Sequence, residues 1–182
     1  NRVISLGIDV KASTAEKDLI KAEFNLNIDK ELKRLNLSPE DLILNGQRWN
    51  IAPENEIIFS KDSLRISDFK LKRNEQYLEI SDDLEVDSSH LGLVFSNFKL
   101  STFSSYLNPN QSLAEGVLNG RFVVVEPLDF KGLVSNLSIQ DLSVNEVALG
   151  DLSLSAEANS AGSYGIDLNL TGAGIDLAAV GI

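Results

Sequence analysis

Cysteine and methionine are both missing from this 182-residue chain. Without cysteine there is no disulfide framework, no Cys-ligated metal site and no thiol nucleophile. That absence suits an oxidising compartment without requiring one. Histidine occurs once, at His90, and tryptophan once, at Trp49. Catalysis by a histidine needs a nucleophile to activate and a carboxylate to orient the ring. No Gly-x-Ser-x-Gly elbow is present, and the serines follow strand alternation. His90 follows Ser88-Ser89 at a strand start and reads as a surface-loop residue, so neither a catalytic residue nor a cofactor is expected. Long apolar runs are also lacking. The longest, Phe122 to Val125, is strand-sized, far below the ~20 residues of a membrane helix. No initiator Met or signal peptide opens the chain, and it stops in mid-pattern at Ala178-Ala179-Val180-Gly181-Ile182. It therefore reads as a section of a longer protein whose anchors and targeting signals lie elsewhere.

Positive charge is scarce in one half only. Residues 1–75 hold 13 Lys and Arg against 13 Asp and Glu, whereas residues 76–182 hold 3 against 14, the whole net charge of −11. Such a surface repels phosphate backbones and anionic bilayers, so no nucleic-acid partner is expected. Asp82, Asp83, Glu85 and Asp87 form the densest acidic cluster. It reads as the solvated face of an edge strand, where charge blocks unwanted pairing. No Asp-x-Asp-x-Asp-Gly loop accompanies it, and no metal is expected. The Gly172 and Gly174 pair lacks the strand–turn–helix setting of a dinucleotide site and reads as turn chemistry. The sequons at Asn110, Asn136 and Asn169 read as chance matches, two of them inside predicted strands. Trp49 reads as a packing anchor.

What the chain does have is a repeated hexapeptide: ISDFKL at Ile66–Leu71, FSNFKL at Phe95–Leu100, IQDLSV at Ile139–Val144 and LGDLSL at Leu149–Leu154. Apolar positions lie two apart within each half but three apart across the middle. A two-residue step keeps strand side chains on one face, and a three-residue step flips them unless the backbone bulges or turns. Each copy thus predicts strand, kink, strand.

Alternation elsewhere is strand-like: Leu6, Ile8 and Val10; Ala22, Phe24, Leu26 and Ile28; Leu78 and Ile80; Leu91, Leu93 and Phe95; then strand after strand from Gly116 onward. Asn45-Gly46, Asn119-Gly120 and Asn145-Glu146 read as turns. Asp29 to Leu37 is the best helix candidate, with Leu32 and Leu35 three apart and Ser38-Pro39 ending it. Ser101 or Thr102 is expected to cap one further helical turn carrying Phe103, Tyr106 and Leu107. The fold class is mainly β: one elongated antiparallel, curled sheet, as a taco-like trough or a sandwich, with one or two short helices. A single elongated segment spans 1–182, with a sub-division near 101–115.

The order of Phe24-Asn25-Leu26-Asn27-Ile28, Gly46-Gln47-Arg48-Trp49-Asn50-Ile51, Asn55-Glu56-Ile57-Ile58-Phe59, Leu64-Arg65-Ile66-Ser67-Asp68-Phe69, Gln76-Tyr77-Leu78-Glu79-Ile80, Leu118-Asn119-Gly120 and Leu149-Gly150-Asp151-Leu152-Ser153-Leu154 resembles the TamB/AsmA-like family, in particular its Bacteroidetes-type members. The resemblance implies a periplasmic section of an inner-membrane-anchored protein of outer-membrane biogenesis. Its apolar groove would shelter phospholipid acyl chains or nascent outer-membrane protein strands. A TamA-like outer-membrane barrel would be met by other parts of the full-length protein. The aliphatic and aromatic repeat residues Leu64, Ile66, Phe69, Leu71, Leu93, Phe95, Phe98 and Leu100 would line the groove. Two readings stay open: an apolar face exposed as a trough, or the same face closed as the core of a structural β-solenoid, surface-layer or adhesin module.

Overall fold

The computed structural model describes residues 2–11, 18–84, 88–104, 112–159 and 163–181. Those residues form two antiparallel sheets and one helical turn. The first sheet comprises β1 (Arg2–Lys11), β2 (Asp18–Asp29), β3 (Leu32–Leu37), β4 (Ile43–Leu44), β5 (Gln47–Arg48), β6 (Glu56–Phe59) and β7 (Leu64–Ser67). Strand β2 carries β1 along one edge and shares its other edge between β3 and β4, giving the order β5-β4-β2-β3-β6-β7. The second is a plain meander of β8 (Lys70–Arg73), β9 (Gln76–Ser81), β10 (His90–Lys99), β11 (Ala114–Val125), β12 (Gly132–Val144), β13 (Val147–Asn159), β14 (Tyr164–Gly172) and β15 (Ile175–Gly181). Helix α1 (Ser101–Ser104) sits between β10 and β11. Neither sheet closes on itself, so the fold is mainly β with open edges. The sheets change over at Asp68 and Phe69, whereas 101–115 connects two strands within the second sheet.

The hexapeptide kinks are β-bulges and turns with a left-handed residue. Its third position has positive φ in three copies: Asp68 at 51°, Asn97 at 46° and Asp141 at 51°. Asn and Asp tolerate this region better than other side chains. The fourth copy moves the irregularity one place back, to Gly150 at φ 99°. Pairing slips at these points, between Phe95 and Phe98 in β10 and between Ile139 and Leu142 in β12. The amide of each bulged residue finds a side chain on the next strand. Asn97 N–H donates to Asn119 Oδ1 at 2.8 Å, and Asp141 N–H donates to Asp151 Oδ1 at 2.9 Å. Two glycines, Gly116 and Gly172, add positive φ on β11 and β14, so the irregularity crosses five neighbouring strands. A sheet bent along such a line curls. Replacing Asp141 by Gly is expected to be nearly neutral and by Val to cost about 1–3 kcal/mol, read by urea denaturation.

Asp29–Leu37 is a hairpin, not the expected helix. Asp29 pairs with Leu32 across a two-residue turn in which Lys30 has φ 51°, and Leu35 and Leu37 then alternate as strand residues. Asn119-Gly120 is not a turn either. It lies inside β11, where Gly120 takes φ 119°. Asn45-Gly46 and Asn145-Glu146 are hairpin turns with positive φ at both residues, and Ala173-Gly174 is a third. Tyr106 and Leu107, expected on the short helix, lie outside the described residues.

The sheets meet over a closed core built on Trp49, 1% exposed, and Phe98, 0% exposed, whose rings lie 5.7 Å apart. Ala22, Leu37, Leu42, Ile51, Phe69, Leu71 and Leu118 complete it. Phe98 also meets Phe95 edge-to-face and Phe103 at a tilt, with ring centroids 5.7 and 4.8 Å away. A two-bond backbone bridge between Asn50 and Lys72 ties the β5 side of one sheet to β8 of the other. Buried Asn55 holds the neighbouring loop. It accepts from Leu37 N–H and donates to the carbonyls of Leu37 and Ala52, all within 2.8 Å. Asn55→Leu removes these partners from buried backbone groups, and a loss of about 2–4 kcal/mol in chemical denaturation is expected.

Outside the core, Lys21 Nζ donates to Asp41 Oδ2 at 3.0 Å, and Arg48 to Asp41 Oδ1 at 3.1 Å. The Lys21 hydrogen bond and charge hold the Asp41 carboxyl below its usual value and raise that of Lys21. A depressed carboxylate stabilises above its unfolded pKa and loses that contribution as pH falls through the folded one. The pair is solvent-exposed, so its acid-range contribution is small.

Candidate functional site

Side chains that pair across an antiparallel sheet share a face, so the register defines the surfaces of the meander. One row runs Leu71, Leu78, Phe95, Gly120, Leu137, Leu154, Leu168, Ala179 from β8 to β15. Beside it runs Phe98, Leu118, Ile139, Leu152, Leu170, Leu177, and on the other side Ile80, Leu93, Phe122, Ser135, Ala156, Ile166, Gly181. Three adjacent rows therefore make one apolar face across the sheet, interrupted only by Ser135 and glycines. The opposite face carries Arg121, Asn136, Ser155 and Asp167 in one row and Asn119, Ser138, Ser153 and Asn169 in another. In the first sheet, Ile4, Leu26, Leu35, Ile57 and Ile66 form a comparable apolar row.

These faces are covered in the middle and bare at the outer strands. The buried core and the residues packed against it reach β12 at Leu137 and Ile139, and no residue of β13, β14 or β15 joins them. Among the described residues, those strands pack chiefly along their sheet neighbours. Leu152, Leu154, Leu168 and Leu170 are half-buried by one another, while Ile166 is 47% and Leu177 46% exposed. Strand β1 repeats this at the far edge, with Leu6 60% exposed.

The expected lining residues divide accordingly. Phe69, Leu71 and Phe98 are sealed in the core around Trp49. Leu64, Ile66, Leu93, Phe95 and Leu100 are half-buried, with Ile66, Phe95 and Leu100 packed against that core. Exposed apolar surface on this face sits instead outside the first two hexapeptides, at Ile166 and Leu177 beside the half-buried Leu154, Leu168 and Leu170. Their signal was their strict alternation in the serine-rich half, where every intervening position is polar or small.

Chemistry elsewhere is sparse. His90 is not the surface residue expected. It is 4% exposed at the start of β10, its Nδ1 donating to Ser88 O at 2.7 Å and its Nε2 accepting from Leu84 N–H at 2.8 Å. Both ring nitrogens are committed to holding the loop before β10. Trp49 is the packing anchor expected. Of the acidic cluster, Glu85 and Asp87 lie outside the described residues. Among the described residues no group of three or more His, Asp or Glu side chains is placed to hold a metal. A shallow depression of ≈ 480 Å³ lies on the polar face, with Arg121 set among Asn136, Ser155, Glu157 and Asp167. No helix among the described residues is long and apolar enough to cross a membrane. No family model, curated protein or solved structure matches the chain.

Proposed function

We propose that this chain is a trough segment of a TamB/AsmA-like protein in outer-membrane biogenesis, sheltering phospholipid acyl chains on its bare apolar face. One observation carries the reading: a continuous apolar face over β13–β15 that no element among the described residues covers. Exposed aliphatic area of this kind is stabilised by apolar cargo at roughly 25 cal/mol per Å². No charged contact is needed to hold a hydrocarbon chain there, and the acidic exterior keeps the segment dispersed. Nascent outer-membrane protein strands, which also present an apolar face, are the second cargo of the same surface. The periplasm, the inner-membrane anchor and the TamA-like barrel partner belong to this proposal through the family resemblance.

The closed block around Trp49 and Phe98 limits the conduit. Cargo reaches the bare strands from the side, and the block ends the groove unless it opens. The structural-module reading draws on that same block, and the bare rows argue against it.

Native mass spectrometry after mixing the protein with micelles of a zwitterionic short-chain phosphatidylcholine tests the proposal. Adducts of phospholipid mass are expected, and Leu168→Arg is expected to remove them while leaving the fold intact. Absence of adducts on the unaltered protein, or their persistence in Leu168→Arg, overturns the assignment of cargo to this face.

A further inference from the structure

Leu128 and Phe130 are 55% and 60% exposed. Among the described residues they are the two exposed large hydrophobics that lie outside any strand or helix. Both stand on the turn joining β11 to β12, between the paired residues Val125 and Gly132. Apolar side chains scattered singly over a surface need no explanation. Two at the tip of one turn, with only Asp129 between them, present an apolar knob to solvent.

The turn is built to hold them there. Glu126 C=O accepts from the amides of Asp129 and Phe130, at 3.0 and 2.6 Å, and Lys131 N–H donates to Val125 O at 3.0 Å. Glu126 N–H donates to Ser89 O at 2.7 Å, which ties the turn to the segment before β10. Pro127 adds a fixed φ. Glu126 and Phe130 both take a positive φ of 48°. Phe130 is the one aromatic among the described residues to do so; the other non-glycine residues are Asn, Asp, Glu, Lys and Ala. A bulky side chain in this region is strained, and such strain collects at functional positions. Glycine takes the same φ without that strain. Fold stability therefore does not account for a phenylalanine here.

Area and charge decide what the knob meets. A stable protein interface needs roughly 800 Å² from each partner, and two half-exposed side chains of this size supply about a quarter of that. A bilayer asks for less, because each apolar side chain that enters the acyl boundary contributes separately. Glu126, Asp129 and Lys131 leave the turn with more negative than positive charge, in the half of the chain that carries the net −11. An anionic lipid surface is therefore repelled and a zwitterionic one accepted. The apolar face of the meander reaches the same end of the sheet, in the row Leu91, Val124, Leu133 and Ala158.

We propose that the β11–β12 turn is a membrane-contacting tip, with Leu128 and Phe130 inserting at the headgroup–acyl boundary of a zwitterionic phospholipid bilayer. The contact brings the end of the apolar face to the lipid. It stands on the side chains of the turn and does not require that face to hold cargo.

Flotation with phosphatidylcholine vesicles tests the tip. The unaltered protein is expected to float, and Phe130→Gly and Leu128→Ser are each expected to lower partitioning about tenfold. Phe130→Gly relieves the positive φ, so its thermal midpoint is expected to be no lower than that of the unaltered protein. Val147→Ser removes a side chain of similar exposure, 61%, at the other end of β12 and is expected to change nothing. Replacing a third of the phosphatidylcholine by phosphatidylglycerol is expected to weaken binding, with added salt restoring it. Leu168→Arg, which removes the bare-face cargo, is expected to float like the unaltered protein, so attachment and cargo fail separately. No flotation of the unaltered protein overturns the proposal and leaves the tip to a protein partner. Flotation unchanged in both tip variants, lost in Leu168→Arg or Val147→Ser, or stronger on the anionic vesicles places the contact elsewhere and overturns it equally.

Discussion

Phe98→Ala is expected to lower the free energy of unfolding by about 3–5 kcal/mol, the range for deleting a fully buried aromatic ring. Phe98 is 0% exposed and touches Trp49, Phe95 and Phe103, so its loss opens a cavity where the two sheets meet. Phe98→Arg is expected to be worse, because a guanidinium placed there has no partner among the core residues. The matched substitution on the bare strands, Leu168→Ala, is expected to cost only about 1 kcal/mol, since half-buried area is all that it forfeits. Urea denaturation of both variants gives the contrast, with Trp49 fluorescence reporting the core. Equal costs at the two sites would mean that Leu168 is covered after all.

Gly120→Ala and Gly150→Ala are the second large effect. A Cβ on Gly120 would lie 2.1 Å from Asn136 O, and one on Gly150 would lie 2.1 Å from Thr171 O. Both obstacles are backbone of the adjoining strand, which cannot move without breaking the pairing. Each glycine also holds a φ that L-residues rarely adopt, 119° and 99°. Strain and clash together are expected to cost more than about 3 kcal/mol at either position. Gly7, on the open edge with nothing within 4 Å of its Cβ position, is the control and is expected to accept alanine without loss. Thermal unfolding of the three variants checks this.

Much of this architecture is legible in the residues, because the hexapeptide spacing contains the bend. Apolar positions three apart across an Asp or Asn force the chain either to flip faces or to bulge, and Asp68, Asn97 and Asp141 supply the left-handed residue that the kink requires. The hairpin at Lys30-Glu31 was hidden for the opposite reason. It has neither Gly nor Asn, so turn chemistry is silent there, and Ile28, Leu32 and Leu35 imitate a helical stripe. Asn119-Gly120 misleads in the other direction, since a pair that usually turns the chain serves β11 as a tight contact with β12. His90 carries no local sign that its ring will be buried, because its partners are the backbone groups of Leu84 and Ser88.

Whether the apolar face is covered was not legible at all. Alternation is the same for Leu71, which the first sheet seals, and for half-buried Leu168, which stays outside the core among the described residues. The difference arises from where the short strands β4–β7 and the Trp49 loop come to rest, and they reach only as far as β12. The candidate site therefore moved from the first two hexapeptides to the serine-rich strands.

The division of one apolar face into a sealed part and a bare part is the central claim, and single-cysteine accessibility tests it most directly. Cysteine placed at Leu71, Leu154 or Leu168 of this cysteine-free chain is treated with a thiol reagent in native buffer. Rapid labelling is expected at Leu154 and Leu168, with Leu71 labelled only after denaturant is added. Protection at Leu168 equal to that at Leu71 would show a closed core throughout and contradict the account.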